Sequence, residues 1–266
     1  MTPLELARSA AEHHGYDWHG VEVLQSTNAL VARLEPISVV IKAGQWPDSA
    51  PGMLREHAIC QELHALGEPV PEPLGTPWIN EETQMVATLW RFVESLPLGD
   101  PAPAAFAQSL KRLHGTLRQT TTPLPEYGHW FDLFAKSLFD DAEMSHLDPQ
   151  ARKRLRGAYS GTRPHIDGHP YSPMRIHGEP HTGNFLRTEA DLVILDLETV
   201  CTGPLEWDLA SLDGAVADHY GGAIDAEFLS LLRRMNKIRT ATWCFVNPTA
   251  AEHAMGRRML EELDAP

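Results

Sequence analysis

Arg175-Ile176-His177-Gly178-Glu179-Pro180-His181-Thr182-Gly183-Asn184-Phe185, followed after a short hairpin by Val193-Ile194-Leu195-Asp196-Leu197-Glu198, is the stretch whose reading decides the fold. It places an acid, an amide side chain five residues later, and then an apolar run closed by a second acid. Gly178, Pro180 and Gly183 punctuate it too densely for a helix, so it reads as a tight loop running into a strand. Loops held between rigid elements are where binding and catalytic groups concentrate. An acid to accept a hydroxyl proton, together with two hard-oxygen donors for magnesium, is what a phosphoryl-transfer site needs.

Upstream of this loop the chain changes character once. Thr2-Pro3-Leu4-Glu5 is a capping-box pattern with proline at the first helical position, which predicts a helix to about His14. Residues 20–43 carry β-rich runs at Val21, Val23, Ala29-Leu30-Val31 and Val39-Val40-Ile41, broken at 25–28 and 35–38, and so predict three strands. Pro51 to Gly67 reads as a helix with Leu54, Ala58/Ile59, Leu63 and Leu66 as its stripe. Glu68–Pro77 reads as a proline-rich connector and Thr83–Val93 as a strand.

From Pro97 onward the patterns are helical. Asp100-Pro101 is the expected start of a helix carrying Phe106, Leu110, Leu113 and Leu117 on one face. Helices are also predicted over 129–142, 148–159, 205–218, 224–245 and 248–264, with 160–174 as loop. The expected architecture is therefore α+β and bilobal. A small β-rich lobe spans 1–92, a hinge lies near 91–97, and a larger, mostly helical lobe spans 93–266. A cleft between such lobes is where ligands tend to bind.

The 266 residues suffice for such a two-lobed body, and 42% hydrophobic with 22% charged residues is ordinary for a globular chain. A formal charge of −14 disfavours nucleic acid and anionic membranes as partners and would draw in a cationic small molecule. It fits a plain solubility role equally well. Cys60, Cys201 and Cys244 lie far apart in no metal or redox spacing, as expected in a reducing cytoplasm. The N-terminus has neither the basic region nor the apolar run of a signal peptide, and no stretch approaches membrane-spanning length.

His177-Gly178-Glu179-x4-Asn184, then Ile194-Leu195-Asp196-Leu197-Glu198, then Gly203-Pro204-Leu205-Glu206-Trp207-Asp208-Leu209-Ala210 together resemble the aminoglycoside phosphotransferase and choline kinase branch of the protein-kinase-like fold. Leu113-His114 matches a further pairing common there, and the resemblance covers about residues 20–215. It implies a cytoplasmic enzyme that moves the γ-phosphate of ATP (or GTP), with Mg2+, to a hydroxyl of a small acceptor. An aminoglycoside or similar antibiotic is favoured, and choline-like alcohols, sugars and amino-alcohols compete.

On that resemblance Glu179 stands at the catalytic aspartate's position, one methylene longer than the family's usual residue, and would accept or align the acceptor hydroxyl. Asn184 and Asp196 would be the metal ligands, a reading their joint context favours over a turn-former after Gly183 and a strand-end cap. Glu198 would support the metal's surroundings or form a structural salt bridge. Lys42, at the end of an apolar strand, would pair the nucleotide phosphates, held by Glu56 of the following helix. Ser26 and Thr27 would lie in the turn over the phosphates, which carries no glycine and reads equally as an ordinary hairpin turn. Trp90 and Phe92 fall in the hinge, whose backbone would meet the adenine, and His177 and Asp208 would brace the catalytic loop.

Other chemistries lack their patterns. His177 and His181 are four apart but not on a helix, and no Pro-Cys-x-x-Cys follows His-x-Glu, so zinc-protease and deaminase readings fail. His165 and His169 are expected in an exposed flexible stretch. No Gly-x-Ser-x-Gly elbow is present. The short span from Asp196 to Pro204 leaves little room for a peptide-binding segment, which argues against a protein acceptor. The remaining alternative, raised by Glu179, is a nucleotide-binding module without transfer activity. Trp130, Asp132, Asp140, Asp141, Asp213 and Asp218 are candidate acceptor-pocket residues that read equally as solvated helix faces. Oligomeric state is not encoded in any pattern of the chain.

Overall fold

Thr2 accepts the Glu5 N–H at 3.2 Å while Glu5 reaches back to the Thr2 N–H at 2.6 Å, so the capping box starts α1 (Pro3–His13). The structure, a computed structural model, describes residues 1–99, 102–246 and 249–263. The chain divides into two compact units: residues 1–123 with 181–200, and residues 124–180 with 201–266.

The first unit is built on a five-stranded antiparallel sheet of β1 (Val21–Ser26), β2 (Ala29–Leu34), β3 (Val39–Gly44), β4 (Pro73–Ile79) and β5 (Val86–Arg91), in the order β1-β2-β3-β5-β4. Strand alternation sends Val39, Ile41 and Ala43 of β3 into a core with Leu6, Ala7 and Ala10 of α1. Lys42, one residue out of phase, therefore projects from the opposite face. That face is the one met by α2 (Ala50–Ala65), whose Glu56 reaches Lys42. The buried residues of α2 are Met53, Glu56, His57, Ile59, Cys60 and Leu63. The expected stripe is thus out of phase at its ends, and Leu66, the residue that caps the end of α2, is exposed.

The expected connector over Glu68–Pro77 is instead largely strand. β4 tolerates Pro73 and Pro77 because it is the sheet's edge, where a missing N–H removes no ladder bond, and its register shifts between Leu74 and Trp78. The first unit also contains α3 (Pro103–Leu117), with Phe106, Leu110, Leu113 and Leu117 buried, and the hairpin β7 (Phe185–Arg187) with β8 (Leu192–Ile194). The Asp100-Pro101 start expected for this helix lies outside the described residues. Helix α3 packs on the hairpin through Phe106, edge-on to Phe185 at 4.9 Å.

The second unit is helical around a short β6 (Met174–Ile176) paired with β9 (Cys201–Gly203). Its helices are α4 (Gly128–Phe139), α5 (Pro149–Asp167), α6 (Leu205–Ala210), α7 (Gly214–Tyr220), α8 (Ala226–Val246) and α9 (Ala250–Glu262). α8 is the central one, burying Phe228, Leu232, Met235, Ile238, Ala241 and Phe245. α5 runs through the expected loop over 160–167 despite Gly161 and Pro164, because Tyr159, Thr162 and Ile166 continue its buried face. The helix expected over 205–218 is two helices, since Asp213 caps a new start at the Ala215 N–H (2.8 Å). Pro248 and Asp264, the expected limits of the last helix, lie outside the described residues; α9 starts on a Thr249–Glu252 capping box. Among the described residues no helix is long and apolar enough to cross a membrane.

Candidate functional site

In the first unit, four charged side chains converge. Lys42 Nζ donates to Glu56 Oε2 at 2.8 Å, to Asp196 Oδ1 at 2.8 Å and to Glu198 Oε2 at 3.2 Å. β3 supplies the lysine, α2 the first acid, and the turn after β8 the other two. Asp196 sits in the left-handed region at φ 60°, a conformation aspartate tolerates better than most residues. Leu197 then donates its N–H to Glu56 Oε1 at 3.1 Å, so one buried glutamate fixes both the lysine and the backbone beside Asp196. Arg55 Nη2 donates to the Glu198 carbonyl.

Burial pushes the Glu56 carboxyl up to about 7; the neighbouring Lys42 opposes this, and Asp196 and Glu198 add to it. Burial alone would lower the Lys42 ammonium, yet Glu56, Asp196 and Glu198 hold it well above its ordinary value. One carboxylate oxygen from each of Glu56, Asp196 and Glu198 lies within 4.8 Å of the others. Such a set of hard oxygens, carrying three acids against one lysine, fits a divalent cation such as magnesium. Asn184, in a single 3-10 turn at 182–184, is buried; its carbonyl accepts the Leu195 N–H at 2.9 Å, which ties the Asn184 backbone to the residue before Asp196.

In the second unit the catalytic-loop candidates hang from α6. Asp208, fully buried, accepts the His177 N–H at 2.8 Å and the Gly178 N–H at 2.7 Å. His177, also buried, accepts the Glu179 N–H on Nδ1 at 3.2 Å. The Glu179 carboxylate accepts from Arg239 Nη2 at 2.7 Å. Arg239, on α8, carries no motif in sequence and was not foreseeable from it. Asn236, one turn earlier on the same helix face, accepts from Arg239 on its Oδ1 at 2.9 Å.

The remaining candidates occupy less specific settings. Ser26 and Thr27 lie exposed at the β1–β2 turn, where Gln25 donates to Thr27 Oγ1 at 2.7 Å and Gln45 to the Thr27 carbonyl. Trp90 is buried, its Nε1 donating to Thr88 at 2.9 Å, and its ring packs by His57. The Phe92 N–H donates to Ser38 O at 2.8 Å and the Arg91 N–H to Glu72 O at 2.9 Å, while the Arg33 guanidinium lies 3.7 Å over the Phe92 ring. Those two N–H groups are thus engaged within the sheet, so a base-binding contact from this segment would use other backbone groups.

Several acceptor-pocket candidates make contacts within the fold. Asp132 pairs with Arg163 at 2.8 Å, Asp141 with Arg152 and Arg156, while Asp140 and Asp213 accept backbone N–H groups at turns. His165 is exposed but helical, and His169, half-buried, stacks on Phe228 at 4.1 Å and 4°, with Asp225 at 3.6 Å. The three cysteines are free and buried.

Comparison with solved structures finds the same fold at low identity. A choline/ethanolamine kinase family protein from Mesorhizobium loti aligns with TM-score 0.69 and 20% identity over 99% of this chain and 95% of its own. Amicoumacin kinase, solved with AMP-PNP, Ca2+ and Ami, gives TM-score 0.74 and 14% identity over 96% and 92%. APH(2″), solved as a GDP and kanamycin complex, gives 0.72 and 15% over 97% and 97%. A search of curated proteins finds no match. The family model described as the phosphotransferase enzyme family, APH, matches residues 15–243, most of the sequence. Both the expected fold class and the expected family hold: the chain has a protein-kinase-like fold and belongs to the APH phosphotransferase family.

Proposed function

We propose that this chain is a small-molecule kinase that uses ATP (or GTP) and Mg2+ to phosphorylate a hydroxyl of a cationic acceptor, with an aminoglycoside or similar antibiotic favoured. The observation that carries the reading is the Lys42–Glu56–Asp196 cluster, with its two 2.8 Å contacts. A lysine held by a buried acid is the phosphate-pairing arrangement of kinase-like sites.

In this reading residues 1–92 form the nucleotide lobe and 93–266 the catalytic and acceptor-binding lobe. Lys42 keeps Glu56 as its anchor and presents its ammonium to the nucleotide phosphates. Asp196 and Asn184 would hold the magnesium, with Glu198 supporting its water shell; the ion would neutralise charge that develops on the transferred phosphoryl group. Ser26 and Thr27 would contact the phosphates from the hairpin turn, and the hinge around Trp90 and Phe92 would face the base. Glu179 aligns the acceptor hydroxyl and takes its proton, while His177 and Asp208 keep the loop beneath it in place. The acidic balance of the chain, −14, supports a cationic acceptor by long-range attraction. No bound nucleic acid or membrane is invoked, and the site of action is cytoplasmic.

A second reading has its own observation. Glu179 replaces the family's usual shorter acid and is already engaged by Arg239, as would suit a nucleotide-binding module without transfer. Coupled ADP release across aminoglycosides, choline analogues and sugars separates the two. A kinase shows acceptor-dependent ADP release and Mg-dependent stabilisation by ATP, both lost in Asp196→Ala. Nucleotide stabilisation with no ADP release across the whole panel supports the second reading, and neither signal overturns both.

A further inference from the structure

We infer that Arg239 is the positioning residue that makes a glutamate workable at position 179. This deepens the kinase reading and rests on it. Glutamate differs from aspartate by one methylene, which adds both length and a rotatable bond. Left to itself, such a side chain would sample several rotamers, and a misplacement of about 1 Å can cost roughly 10²-fold in rate. Arg239 Nη2 holds Glu179 Oε1 at 2.7 Å and so selects one direction for the carboxylate.

The guanidinium is itself fixed. Asn236 Oδ1 accepts from Arg239 Nε at 3.3 Å and from Nη2 at 2.9 Å, and the Asn236 amide donates to the Ala210 carbonyl at 3.3 Å. The Trp207 ring lies 5.6 Å below the guanidinium carbon. Ala210 and Trp207 both belong to α6, the helix whose Asp208 grips the His177 and Gly178 N–H groups. One short helix therefore sets the main chain of the Glu179 loop through Asp208 and its side chain through Asn236 and Arg239. A planar guanidinium makes this kind of directional contact better than a lysine ammonium would.

Two consequences follow that a plain surface salt bridge would not give. Shortening the acid withdraws its oxygens by about 1.5 Å, one C–C bond, beyond hydrogen-bond reach of the fixed guanidinium. Glu179→Asp, although it restores the family's common residue, should therefore lower kcat instead of raising it. In addition, an arginine that acts only through Glu179 has nothing to do once that carboxylate is gone.

The test measures kcat and KM for nucleotide and acceptor in purified full-length protein, with the best acceptor from the ADP-release screen. Arg239→Met is expected to lower kcat about 10- to 100-fold, with nucleotide KM within about twofold. Arg239→Lys should recover part of the loss. Glu179→Asp should lose a similar factor, and Arg239→Met should have no further effect in a Glu179→Ala background. Unchanged kcat in Arg239→Met, full or raised kcat in Glu179→Asp, or a full Arg239→Met loss in the Glu179→Ala background would overturn the inference. If Arg239→Met does not fold, Glu179→Asp, which keeps the arginine, decides the matter. Wild-type protein inactive on every acceptor would instead strike at the kinase reading itself.

Discussion

Asp208→Asn removes one backbone acceptor and the carboxylate charge at nearly constant volume. Each carboxylate oxygen of Asp208 accepts one backbone N–H, His177 on Oδ2 and Gly178 on Oδ1, at 2.8 and 2.7 Å. An asparagine has only one acceptor oxygen, so its NH2 must face one of those N–H groups, donor against donor. The loss combines a charge-assisted bond, about 1.5–3 kcal/mol, with a buried N–H left unsatisfied, about 1–3 kcal/mol. We expect about 3–5 kcal/mol in total, a large share of the roughly 5–15 kcal/mol that holds a typical protein together. Urea denaturation reads it, with the neighbouring, fully buried Trp207 as one of the fluorophores. The midpoint should fall without a change in slope, and hydrogen exchange at the His177 and Gly178 amides should accelerate. A loss under about 1 kcal/mol with unchanged exchange at those amides would refute the claim that Asp208 holds the loop.

Three other outcomes are open to direct measurement. Glu56 titrates near 7 in the folded chain against 4.5 otherwise, so the stability tied to its neutral form is full below pH 4.5 and is lost as pH rises through 7. Glu56→Gln lacks this loss, and its stability relative to wild type should improve by about 3 kcal/mol between pH 4.5 and 8 in denaturant titrations; parallel curves would sink the assignment. A Cβ on Gly203 would meet Tyr127 Cβ at 2.7 Å and Ile176 Cδ1 at 3.0 Å, so Gly203→Ala should cost about 1–3 kcal/mol by thermal or urea unfolding. Glu62 accepts the Thr122 N–H at 2.9 Å and also the Thr121 N–H and both threonine hydroxyls, so Glu62→Ala should loosen the 120–123 segment, read as faster amide exchange there.

What could be read from the chain, and what could not, divides along a physical line. The Lys42–Glu56 partnership was legible because strand alternation turns Lys42 away from the Ile41 and Ala43 core, and the next helix brings an acid to that face. The loop from His177 to Asn184 was legible because glycine and proline leave the backbone few choices. The same local signals misled at Gly161 and Pro164, where burial of Thr162 and Ile166 outweighs two poor helix formers. They misled again at Pro73 and Pro77, whose missing N–H groups are harmless only because β4 is an edge. Arg239 was invisible for a different reason. Its partner lies 60 residues away, and nothing local distinguishes an arginine on a long helix from one facing water.

The four-charge cluster also constrains how any triphosphate can reach it. With all groups ionised, three carboxylates and one ammonium sum to −2, and Asp196 and Glu198 add to the burial that raises Glu56 to about 7. Bringing phosphate oxygens to Lys42 adds further negative charge beside Asp196 and Glu198, whose oxygens lie 2.8 and 3.2 Å from the same nitrogen. At such distances like-charge repulsion amounts to several kcal/mol even with substantial screening, about 4 kcal/mol per pair at 4 Å and an effective dielectric constant near 20. The lysine alone cannot offset that, because it already balances three acids. In the kinase reading a compensating cation would arrive with the nucleotide, and Asp196 and Glu198 would be the acids placed to receive it.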